Sequence, residues 1–148
     1  MCRFVVIQMR MMRYWLIKTE PGTYSWQDLM REKEGTWDGV RNAEARNNLK
    51  AMRTGDALLF YHTGNEKAIV GVARVSAEAF PDGESDSTWV AIRIRPVTPF
   101  NRPVTLTEIK VSPELCDMPL IRMSRLSVQP VDTAAFRELL RMSGTKLP

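Results

Sequence analysis

Residues 58–75, LLFYHTGNEKAIVGVARV, decide the fold, because two strand-forming runs, 58–61 and 69–75, flank the connection Thr63-Gly64-Asn65-Glu66. Apolar, aromatic and β-branched runs joined by a short glycine-containing link form an antiparallel hairpin. Downstream, Val90, Ile92 and Ile94 alternate with Ala91, Arg93 and Arg95, which predicts a half-buried strand over 89–95 with one basic face. Upstream, 14–18 is a short aromatic and β-branched strand stopped by the turn at Pro21-Gly22. Residues 126–131 supply a last strand.

Helical signals lie around these strands. Ser25 with Asp28 three residues on is close to a capping box and opens a short helix that stops before Gly35. Over 42–52, Ala45, Leu49 and Met52 recur at helical spacing and face the core, while Asn42, Arg46 and Arg53 form a second stripe about 100° round the axis. Residues 80–88, with Pro81, Gly83 and three acids, read as a surface loop. A proline-punctuated connector leads to short helical pieces over 105–110 and 113–115. Asp132 caps a helix over 133–142, with Val131 and Phe136 placed as a hydrophobic staple. Strands gathered in the middle with helices around them predict an α+β domain with a curved, largely antiparallel sheet.

Composition narrows the function. The 148 residues, 44% hydrophobic and 26% charged, suit one compact domain, with no apolar run of the ~20 residues that a membrane span needs. Residues 1–12 are read as an N-terminal extension, with Met12 a candidate translation start, and 13–148 as the domain. The leading MCRFVVIQMRM has too short an apolar portion for a signal peptide. Of the 21 basic residues, which face 17 acidic ones, Arg3 and Arg10 lie in that extension, so the overall charge of +4 decides nothing. Any nucleic-acid argument rests on where the cations lie. Cys2, Cys116 and the one histidine, His62, exclude a disulfide scaffold and a four-ligand zinc site and suggest a reducing, cytoplasmic setting. Asp82, Glu84 and Asp86 lack the glycine position and terminal Glu of a calcium loop.

The segment 37–48, WDGVRNAEARNN, places an indole, a tight turn, Arg41, Arg46 and several carboxamides side by side. An aromatic face beside planar guanidinium donors is what a base and its phosphate need. The alternative is that Trp37 is core, Asp38-Gly39 a turn, and both arginines solvated. Trp15, Trp26 and Trp89 sit in strand or helix patterns and are assigned to core packing.

Four ordered blocks, YWLIKTEPGTYSWQDL (14–29), WDGVRNAEARNNLKAMRTGD (37–56), LLFYHTGNEKAIVGVARV (58–75) and RMSRLSVQPV (122–131), resemble the EVE domain. The resemblance implies a PUA-like β-barrel of five to six mostly antiparallel strands flanked by short helices, with no metal or organic cofactor. EVE domains are similar in turn to YTH and ASCH domains, which implies a pocket for one nucleobase turned out of its strand, often a modified one. Carried over by position, Trp37 is a wall of that pocket, and Lys18, Thr19 and Glu20 make polar contacts to base and backbone. Arg41, Asn42 and Arg46 line the rim, Tyr61 and His62 close the floor or side, and Ser124 and Arg125 serve the edge. The chain departs from the pattern at Ala43, often aromatic in relatives, and at Thr63, commonly Ser.

The expected function is therefore non-catalytic binding, as a monomer, of a modified base such as a methylated one in DNA or RNA. Two competitors stand beside it: an enzyme acting on the captured base, and a module binding a small ligand or peptide. A zinc deaminase needs His and Cys ligands that are not here, and His62 has no neighbouring nucleophile in a recognisable context.

Overall fold

The computed structural model describes residues 12–148, so the reading of 1–11 as an extension falls outside the described residues. The strands are β1 (Tyr14–Thr19), β2 (Gly35–Trp37), β3 (Ala57–His62), β4 (Ala68–Pro81), β5 (Val90–Thr105) and β6 (Val128–Val131). The helices are α1 (Trp26–Glu32), α2 (Ala43–Ala51), α3 (Leu106–Val111), α4 (Pro119–Arg122) and α5 (Thr133–Ser143). One six-stranded sheet runs in the order β2-β5-β4-β3-β1-β6. β1 and β3 are parallel, with Trp15 opposite Leu58, and every other pair is antiparallel. The edge strands β2 and β6 do not pair, so the sheet stays open. α2 packs against β6 and also against β5 and β4, lying across the gap that a closed barrel would seal with hydrogen bonds.

Strand alternation divides the core between the two faces of the sheet. Trp15, Ile17, Leu58 and Phe60 pack with Trp26 and Leu29 of α1 and with Ala45 and Leu49 of α2. Leu16, Leu59, Tyr61 and Val72 pack with Ile109 of α3 and with Phe136 and Leu139 of α5. The caps are those the sequence encodes. Ser25 and Asp28 form the reciprocal capping box, the Asn42 side chain accepts from the Ala45 amide, and Asp132 accepts from the Ala135 amide. Buried Asp56 ties the start of β1 to the turn before β3 by accepting from Arg13 N, Trp15 Nε1 and Arg53 N at 3.2, 3.0 and 3.0 Å.

Several elements differ from expectation. β5 runs straight through the predicted connector and carries Pro96, Pro99 and Pro103 within a 16-residue strand. The ladder to β4 shifts register between Ile69 and Gly71 and between Val72 and Ala73, and there Pro99 and Pro96 stand opposite Gly71 and Ala73. Bulges of this kind accommodate residues that have no amide to donate. β4 likewise extends to Pro81, into the predicted loop, residues 113–115 form a turn, and the short β2 and α4 carry no sequence signal. No helix among the described residues is long and apolar enough to cross a membrane.

Candidate functional site

At the C-terminal end of β1, the turn into α1, the end of β2 and the approach to α2 enclose a cleft of about 510 Å³. Its lining is Lys18, Thr19, Glu20, Thr23, Tyr24, Thr36, Trp37, Asp38, Gly39, Val40, Arg41, Asn42 and Ser127. The Pro21-Gly22 turn is closed by the Thr23 and Tyr24 amides, both donating to Glu20 O at 2.9 Å, and the Thr19 hydroxyl pins it by donating to Tyr24 O at 2.8 Å. Opposite, Gly39 takes a left-handed φ of 76°, and its amide donates to Asp82 Oδ2 at 2.9 Å. Arg41 Nη1 reaches the same oxygen at 2.9 Å. These two donors, the Gly39 amide first, hold the Asp82 carboxyl below its ordinary range. The β4–β5 loop thereby fixes one wall of the cleft.

The aromatic wall is largely built into the core. Trp37 is only 9% exposed and meets Phe60 edge-on at 5.7 Å and 78°, and Tyr24 at 6.2 Å and 77°. The expectation of a free stacking surface is corrected accordingly: the indole is a core residue that shows a small part of its surface to the cleft. Tyr24 beside it is half-buried, and its hydroxyl donates to Glu32 Oε1 at 2.8 Å; burial, then that carboxylate, pushes the phenol pKa up.

Lys18 leaves the strand edge to donate from Nζ to Ser124 O at 2.6 Å, 6.0 Å from the Tyr61 ring, and burial lowers its pKa. Glu20 reaches over Gly64, where an added Cβ would stand 2.7 Å from Oε2. The Asp38 side chain is exposed and has no hydrogen-bond partner among the described residues.

Lys18, Thr19, Glu20, Trp37, Arg41 and Asn42 thus converge on one cleft, while the remaining predicted residues lie elsewhere. Arg46 donates to Thr88 Oγ1 at 3.0 Å and sits 5.2 Å from the Trp89 ring, beside Arg41 at 5.6 Å. Trp89 is therefore a half-buried platform under two guanidinium groups, not core as expected. Tyr61 and His62 cannot share a floor, because consecutive strand residues face opposite sides of the sheet. Tyr61 lines a separate cleft of about 150 Å³. His62 is 3% exposed: Nε2 accepts from the Trp26 amide at 3.0 Å, and Nδ1 lies 2.7 Å from Glu66 Oε1. That pairing places the proton on Nδ1 of the neutral ring and makes His62 a structural tie to the start of α1. Ser124 and Arg125 line an adjoining cleft of about 370 Å³ that shares Asn42 with the main one.

Thr23, Tyr24, Thr36 and Asp38 were not foreseen, whereas Ser127, at the end of the Ser124–Ser127 stretch expected to bring hydroxyls and a cation to the pocket edge, does line the main cleft. Of those not foreseen, all but Thr36 lie inside the quoted blocks, yet nothing in their residue types sets them apart. A larger cleft, about 610 Å³, opens at the other end of β1 by Met12, Arg74 and Arg95, without an aromatic ring or any predicted residue. Among the described residues no group of three or more His, Cys, Asp or Glu side chains is placed to hold a metal ion.

An open α+β sheet of this strand order, with a cleft between the end of β1 and the entrance to α2, has the PUA-like architecture. The chain belongs to the EVE domain family, whose model matches residues 13–142. It is 32% identical to mouse thymocyte nuclear protein 1 over 168 aligned residues, covering 90% of this chain and 74% of the mouse protein. A crystal structure of a protein from Agrobacterium tumefaciens superimposes with a TM-score of 0.86 at 40% identity, covering 92% of this chain and 99% of that one. Human THYN1, solved in complex with DNA containing 5-methylcytosine, superimposes with a TM-score of 0.83 at 29% identity, covering 90% and 99%. The YTH domain of a Zygosaccharomyces rouxii protein shares the fold alone, with a TM-score of 0.59 at 15% identity and coverage of 93% and 88%.

Proposed function

We propose that this protein binds a methylated cytosine in DNA, holding the base in the 510 Å³ cleft without altering it. The observation that supports this reading is the cleft itself, in a chain so similar to a protein solved with 5-methylcytosine DNA. It sets the apolar surfaces of Trp37, Tyr24 and Val40 beside the carboxylates of Asp38 and Glu20 and the ammonium of Lys18. Cytosine donates from its exocyclic amine, so a carboxylate acceptor suits it, and its added methyl group suits an apolar wall. Lys18 and Arg41 at the mouth hold backbone phosphates, which position the strand and carry no sequence information. Recognition without chemistry fits the place of His62, which lines none of the described clefts and has both ring nitrogens engaged.

The test is fluorescence anisotropy with single-stranded DNA carrying one central 5-methylcytosine, cytosine or thymine, and with RNA of the same sequence. Asp38 and Glu20 are exposed, so replacing either with Ala costs little stability. Asp38→Ala should lower affinity for methylcytosine DNA by about five- to 150-fold, the equivalent of one good base contact of ~1–3 kcal/mol. Mass spectrometry of the recovered strand should show no change. Equal affinity for methylated and unmethylated strands, a preference for RNA, or no effect of either Asp38→Ala or Glu20→Ala would overturn the reading.

A further inference from the structure

Three clefts adjoin one another around the hydrogen-bonded pair Lys18 and Ser124. Lys18 lines both the 510 Å³ cleft and the 150 Å³ cleft, Ser124 lines the 150 and 370 Å³ clefts, and Asn42 lines the 370 and 510 Å³ clefts. The bond from Lys18 Nζ to Ser124 O forms the ridge between them. It uses one of three ammonium donors and leaves two for a ligand. A nucleotide turned out of its strand needs three paths from a common point: one for the base and one for the backbone on each side. Each side cleft also carries a cation. Arg125 lines the larger and Lys67 the smaller, and neither makes an ion pair among the described residues. Arg122, next to Arg125, is already paired with Asp117 at 2.9 Å. Glu44 at the start of α2 is the carboxylate that lines the larger side cleft.

Building on the base-binding reading above, the geometry points to a strand that continues on both sides of the captured base. One flank lies in the Arg125 cleft, the other in the Lys67 cleft, and Lys18 holds a phosphate at the crossing. The ligand is then an internal nucleotide of a polynucleotide, not a free nucleoside or a strand end. This route runs over the α4–β6 and β3–β4 connections, away from Arg46, whose guanidinium is held at Thr88 and Trp89. The burial that depresses the Lys18 pKa leaves its ammonium short of solvation, which an incoming phosphate oxygen restores.

The experiment uses the full chain and single-stranded DNA with 5-methylcytosine placed centrally, at the 5′ end or at the 3′ end, together with the nucleoside 5-methyl-2′-deoxycytidine. Central placement should bind at least tenfold more tightly than either end, and the nucleoside most weakly. Arg125→Ala and Lys67→Ala should each weaken the central complex, and each should reduce the salt slope by about 0.7, the release expected for one phosphate contact on a single strand. Each variant should also lose sensitivity to deletion of nucleotides on one flank, the two variants on opposite flanks. Arg137→Ala, an exposed arginine on α5, is the charge control. Terminal and central placements binding alike, or both variants matching Arg137→Ala, would overturn the strand path. If wild type fails to separate methylated from unmethylated strands while flank dependence persists, the base reading falls and the path stands.

Discussion

Trp37→Ala separates a packed wall from a free stacking surface. The indole is 91% buried and makes two edge-on contacts, with Phe60 and Tyr24, so its removal takes both apolar burial and aromatic pairing from the core. Truncating a buried tryptophan costs ~3–5 kcal/mol when a void is left behind. Here the side chain borders the 510 Å³ cleft, so water enters the vacated space and no dry cavity persists. The expected loss is therefore at the low end, about 3 kcal/mol, a large share of the ~5–15 kcal/mol that holds a typical domain folded. Urea unfolding should show a lower midpoint at unchanged slope. Full stacking on an aromatic contributes ~1–3 kcal/mol, and with so little of Trp37 showing, affinity for methylcytosine DNA should fall by only about fivefold. Trp37→Phe should recover most of the stability. An unchanged midpoint together with a hundredfold loss of affinity would refute this reasoning and make Trp37 a free platform.

Other perturbations test the scaffold around the cleft. Gly71→Ala puts a methyl group 2.8 Å from the Trp26 indole, which is itself buried, so overpacking should cost ~1–3 kcal/mol in a denaturation experiment. Asp82, held below its ordinary value of 3.8, stabilises the fold fully above that value and loses the effect as pH falls through its depressed one. The gap in urea midpoint between wild type and Asp82→Asn should therefore hold from neutral pH down to the ordinary aspartate range and close at lower pH; a gap independent of pH would show that the carboxylate charge is not what holds Gly39 and Arg41.

The sequence alone determined whatever depends on neighbours along the chain. The Ser25–Asp28 box, the Asn42 and Asp132 caps and the Ala45-Leu49 face of α2 are set within a few residues, and each appears in the structure as read. So does the hairpin of 58–75, whose alternation is local. The motif blocks also gathered the correct side of the molecule, since Lys18, Thr19, Glu20, Trp37, Arg41 and Asn42 share one cleft. Tertiary structure decided the rest, because burial and direction depend on what packs from afar. Nothing near residue 37 shows that Phe60, 23 positions on, takes up the indole edge, nor that Asp82 reaches back to Gly39 and Arg41. Three prolines looked like a loop because a missing amide is a local fact, whereas the bulges that accommodate it arise only when β4 and β5 pair. Arg46 and Trp89 found each other in the same way: one helix and the distant β4–β5 loop brought a cation and a ring together, and so took that arginine away from the cleft.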